Sequence, residues 1–76
     1  GIINIPAKAA LVTSNGGVLS ICCQLDGEEI AVYTTDGVLV GTATIENSTA
    51  IVATGLSKGS VAIVNIAGKS IKVAVN

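Results

Sequence analysis

Histidine is absent from this 76-residue chain, and with it the commonest general base and metal ligand of protein chemistry. Arginine is absent too. The four basic residues are all lysines, and the net charge is −1. Nucleic acid calls for a basic stripe, so it is not an expected partner. Tyr33 is the sole aromatic residue. A carbohydrate-binding module would be expected to carry several aromatic platforms, and a core without Phe or Trp has to be built from Val, Ile, Leu and Ala. No apolar run approaches the roughly 18 residues of a membrane-spanning helix. Proline occurs once, at Pro6.

The two cysteines, Cys22 and Cys23, are adjacent. Neighbours on a strand point to opposite faces, so a bridge between them would distort the backbone. Two thiols without histidine do not complete a zinc site. Both read as reduced, with at least one of them a small core residue. The alternative is an exposed thiol that pairs with another molecule. Neither thiol has a base beside it in sequence, and catalysis has little else to use. Asp26, Glu28 and Glu29 crowd one turn but lack the regularly spaced oxygen ligands of a calcium loop. Asn15-Gly16-Gly17 precedes a strand rather than a helix, unlike a phosphate-binding loop. No cofactor, metal or small-molecule ligand is expected.

What the chain does have is β-branched residues and regular punctuation. Asn15-Gly16-Gly17, Asp26-Gly27, Asp36-Gly37, Glu46-Asn47-Ser48, Ser57-Lys58-Gly59 and Ala67-Gly68-Lys69 read as turns. Between them lie strand-length segments: Ala9–Thr13, Val18–Cys23, Glu29–Thr35, Val38–Glu46, Thr49–Thr54, Ser60–Ile66 and Lys69–Val75. About seven strands at this spacing predict an all-β, immunoglobulin-like antiparallel β-sandwich. Residues 1–8 read as a lead-in or linker, and residues 9–76 as the domain. Alternation places Ile30, Val32, Val40, Ile71 and Val73 inward, and we add Ile51 and Ile63 to that face. Ala50–Ala53 and Val61–Val64 are almost uniformly apolar, as central or doubly covered strands would be.

The strand series itself carries a resemblance. Ile30-Ala31-Val32-Tyr33-Thr34-Thr35-Asp36-Gly37-Val38-Leu39-Val40 forms one hairpin. After it come Leu56-Ser57-Lys58-Gly59, the apolar Ile63-Val64-Asn65-Ile66, the turn Gly68-Lys69-Ser70 and the strand Ile71-Lys72-Val73-Ala74-Val75 before Asn76. Over about residues 16–76 this order closely resembles the C-terminal sorting domain of type IX secretion substrates, gingipain-type peptidases among them. Ala62 stands where that family commonly has a tyrosine.

The resemblance implies a function without catalysis. A parent protein would reach the periplasm of a Gram-negative bacterium, and its outer-membrane type IX translocon would recognise this domain. A sortase-like peptidase would then cleave in or upstream of residues 1–8, leaving the cargo at the cell surface or secreted. Recognition would centre on Gly59, Ile63, Val64, Ile66, Gly68, Lys69, Ile71, Lys72, Val73, Val75 and Asn76. A terminal strand suits this role because it can join a receptor's sheet edge through backbone bonds. The same property predicts a homodimer that exchanges the C-terminal strand. The rival reading is a structural or adhesive spacer in a surface protein.

Overall fold

The computed structural model describes residues 10–76, and within them seven strands and no helix. They are β1 (Leu11–Asn15), β2 (Val18–Cys22), β3 (Glu29–Thr34), β4 (Leu39–Thr44), β5 (Thr49–Ala53), β6 (Val61–Ile66) and β7 (Lys69–Ala74). The lead-in read into residues 1–8 lies outside the described residues, as does Ala9, where the first strand was expected to begin.

The turns form where local chemistry permits positive φ. Gly16 and Gly17, at φ 61° and 82°, join β1 to β2 as a two-residue hairpin loop between the paired Asn15 and Val18. At the β3–β4 turn, Gly37 N–H donates to Thr34 O (3.0 Å) and Thr34 N–H to Val38 O (2.8 Å). Asn47 and Ser48 adopt φ 53° and 62° between β4 and β5. That conformation is uncommon for a serine, and a carboxylate holds it in place. Asp26 Oδ2 accepts from Asn47 N–H at 3.0 Å and Oδ1 from Ser48 N–H at 2.8 Å. The acidic turn thus supplies a clamp between the β2–β3 loop and the β4–β5 turn.

Two antiparallel sheets result, ordered β1-β2-β5 and β4-β3-β6-β7. Relative to an immunoglobulin constant domain, the fourth strand has changed sheets, which leaves the sandwich architecture intact. Leu19, Ile21, Ile30, Val32, Ile45, Ala62 and Val64 have no exposed surface, and together with Cys23, Ala50, Val52, Ile66 and Val75 they fill the space between the sheets. Cys22 is exposed and Cys23 buried, with no bridge between them, as opposite faces of one strand require.

Two expected inward residues point the other way. Ile51 is 62% exposed, because Ala50 and Val52 take the inner face of β5. Ile63 pairs with exposed Lys72 on the outer face of β6, while Ala62, Val64 and Ile66 are buried. Uniformly apolar strands carry no alternation to set their parity, and a one-residue shift reverses every side chain. β5 also proves to be an edge strand rather than a central one, whereas β6 is central. Ile30 and Val32 are buried, and Val40, Ile71 and Val73 are half-buried against the core. Val40 reaches it through a bulge: Val32 pairs with Gly41, then Tyr33 with Leu39. The extra residue changes phase in mid-strand. Val40 therefore packs inward although Thr42 and Thr44, of the same parity, are exposed.

Candidate functional site

β6 and β7 form a hairpin closed by Ala67 and Gly68, at φ 50° and 80°, with Ile66 paired to Lys69. A two-residue loop makes its flanking residues a hydrogen-bonded pair, and the pattern then repeats every second residue. Val75 N–H donates to Ser60 O at 2.8 Å, which continues the same phase. Lys69, Ile71, Val73 and Val75 therefore bond toward β6. The backbone groups of Ser70, Lys72 and Ala74 face the other way, along the edge of the four-stranded sheet. Among the described residues no strand pairs with that edge.

The eleven expected recognition residues all fall on this hairpin or its continuations, but they divide by burial. Val64, Ile66 and Val75 are buried, so they hold the hairpin onto the core and offer nothing to a docked partner. Ile71 and Val73 share that inner face, half-buried. Gly59, at φ 94°, closes the turn before β6, and its N–H donates to Val75 O at 2.9 Å. Gly68 sits exposed in the hairpin loop between them. Lys69, Lys72 and Asn76 are exposed, and Ile63 is half-exposed beside Lys72. The accessible set is thus Ile63, Gly68, Lys69, Lys72 and Asn76.

Asn76 does more than follow the last strand. Its N–H donates to Ser14 Oγ at 2.9 Å, and its carbonyl accepts from Gly17 N–H at 3.2 Å. These bonds tie the end of β7 to the β1–β2 hairpin of the opposite sheet. Tyr33, which the sequence reading left without a role, pairs with Ile63 across β3 and β6 and extends the same outer face. Ser14, Gly17 and Tyr33 carry no motif. Only strand parity, once the register is known, brings them to this surface.

Ala67 sets up a measurable property of the hairpin. A left-handed conformation costs an L-residue with a Cβ about 1–2 kcal/mol, and asparagine bears it more readily. Ala67→Asn creates an Asn-Gly turn and is expected to stabilise the domain by about 1 kcal/mol, a rise of roughly 4–8 °C in Tm. Thermal unfolding by circular dichroism checks this.

The geometry defines an all-β sandwich whose candidate surface is an open sheet edge flanked by lysines. In comparison with known proteins, the chain matches no family model, no curated protein and no solved structure.

Proposed function

We propose that this domain is a C-terminal sorting signal of the type IX kind, read at the β6–β7 hairpin by an outer-membrane translocon. The observation that carries the reading is the position of β7. It lies at a sheet edge, with the backbone of Ser70, Lys72 and Ala74 directed outward. A receptor strand added there gains backbone hydrogen bonds, and the side chains of the outer face supply selectivity. Lys72 lies on that outer face next to Ile63, where a partner would meet a charge and an apolar side chain together. The resemblance of the strand series supports the same hairpin. On this reading the cargo passes through the periplasm to the cell surface or is secreted, after a sortase-like peptidase cuts upstream of the domain.

One observation favours a spacer as the second reading. The first described strand starts at one end of the sandwich, where Leu11 pairs with Cys22, and Asn76 lies at the opposite end beside Gly17. A chain that enters and leaves at opposite ends suits in-line spacing.

Export of a parent protein in its host separates the two. Removing Ile71–Asn76 is expected to leave the cargo in the periplasm. Because that deletion also removes buried Val75, Lys72→Glu is the companion variant: it changes an exposed side chain and leaves the core intact. Under the sorting reading, Lys72→Glu lowers surface delivery several-fold while circular dichroism of the domain is unchanged. Delivery of both variants at the normal level would leave the spacer reading standing.

A further inference from the structure

The opposite side of the sandwich, where β4 and β5 form the sheet edges, has a different character from the β7 side. Thr54 N–H donates to Gly17 O at 3.0 Å and Cys23 N–H to Ser48 O at 2.9 Å, which fixes the phase of the β2–β5 ladder. Ser48, Ala50, Val52 and Thr54 bond toward β2. Thr49 exchanges both its bonds with Glu46, at 2.9 and 3.0 Å. Ile51 and Ala53 are left with their backbone groups directed to the open edge. Ile51 also exposes 62% of its surface on the outer face.

Natural edge strands are protected from pairing by lysine, proline, bulges or inward-pointing charges. On its side of the sandwich, β7 has Lys69 and Lys72. None of β1, β2, β4 or β5 carries a charged side chain or a proline. The bulge in the other sheet lies at Val32 and Tyr33, so it does not interrupt β5. β5 is thus a regular, uncharged edge with an exposed β-branched side chain.

We infer that β5 is a self-association edge, whose partner is the β5 strand of a second copy of this chain. The occupant follows from the match. A two-fold axis at Val52 sets Ile51 opposite Ala53 of the second copy, and reciprocally. Each of those pairs exchanges both backbone bonds, using the outward groups of both residues. The three-stranded sheets of the two copies become one continuous sheet, and Ile51 gains apolar neighbours. β4 packs over β5 where Gly41 meets Val52, and its exposed side chains near the axis, Thr42 and Thr44, bring no like charges together.

Long-range charge favours the same antiparallel arrangement. Asp26, Glu28, Glu29 and Glu46 lie in the loops at one end of the sandwich, and Lys58 lies in a loop at the other. The two-fold axis places the acidic end of each copy alongside the Lys58 end of its partner. Self-pairing through β7 would instead bring Lys72 of both copies to one seam.

Sedimentation equilibrium from micromolar to millimolar concentration tests this on the whole chain, together with amide hydrogen exchange. The expected result is a monomer–dimer equilibrium in which the Ile51 and Ala53 amides exchange more slowly as concentration rises. Those of Ser70, Lys72 and Ala74 should not change. Ile51→Lys alters an exposed side chain and should weaken association by about tenfold or more. Ala53→Pro removes an outward N–H that the β2 ladder does not use, and should have a similar effect. Three results overturn the inference: a monomer throughout the range, a dimer indifferent to both variants, or protection that rises at Ser70, Lys72 and Ala74 instead. The exchange profile of the unaltered chain decides the matter even if a variant fails to fold.

Discussion

Gly41→Val is expected to remove a large part of the domain's stability. Gly41 sits in β4 where the two sheets approach most closely, and a Cβ built on it would stand 2.6 Å from Val52 Cγ1. Real carbon atoms do not meet at that distance. Val52 cannot swing aside easily, because it is buried and its χ1 is restricted by branching at Cβ. The sheets must separate or side chains must leave their rotamers, which costs about 1–3 kcal/mol for one added methyl and more for valine. A domain of this size has roughly 4–11 kcal/mol in total. Urea denaturation should show the midpoint falling accordingly. A double-mutant cycle supplies the cause: Gly41→Ala combined with Val52→Ala should cost less than the two single changes added together, by about 1 kcal/mol. Additive costs would mean that the close approach is not the source.

A second substitution acts on the backbone rather than between side chains. Gly17→Ala is expected to destabilise by about 2–4 kcal/mol, from left-handed strain and overpacking together. Gly17 has φ 82°, and a Cβ there would lie 2.8 Å from the carbonyl oxygen of Leu56. That carbonyl has little room to retreat. Leu56 N–H is held by Thr54 Oγ1 at 3.1 Å, and the same hydroxyl donates to Gly17 O at 2.7 Å. Gly16, at φ 61° in the same turn, has nothing within 4 Å of the equivalent Cβ. Gly16→Ala should therefore cost only the conformational strain, about 1–2 kcal/mol. Equal effects at the two positions, measured by urea denaturation, would remove the role given to the Leu56 carbonyl. Because Gly17 N–H also holds the Asn76 carbonyl, its replacement should speed amide exchange at the end of β7.

Both positions bear on the candidate surface. The β6–β7 hairpin is anchored from within by Val64, Ile66 and Val75, and at its far end by the bonds of Asn76 to Ser14 and Gly17. Loosening either anchor leaves the accessible residues in place but no longer holds them in one orientation. Lys69 and Lys72 then present their charges from an ensemble rather than from a fixed edge, and a partner would bear the cost of ordering them.

Strand count, turn positions and the shortage of catalytic groups were determined by the sequence alone, because each rests on local chemistry. Gly16-Gly17, Asp36-Gly37 and Ala67-Gly68 turn where the chain needs positive φ, and strands of β-branched residues fill the intervals between them. The opposite orientations of Cys22 and Cys23 follow from the pleat. Tertiary structure decided what depends on partners distant in the chain. The inner faces of β5 and β6 could not be read where apolar residues run without alternation, so Ile51 and Ile63 turned outward against expectation. The bulge that brings Val40 to the core arises from the pairing of β3 with β4. Only the assembled sheets make β5 and β7 edges and β6 central, bring Gly41 against Val52, and place Asn76 on Ser14. Those contacts join residues far apart in sequence, where no local propensity reaches.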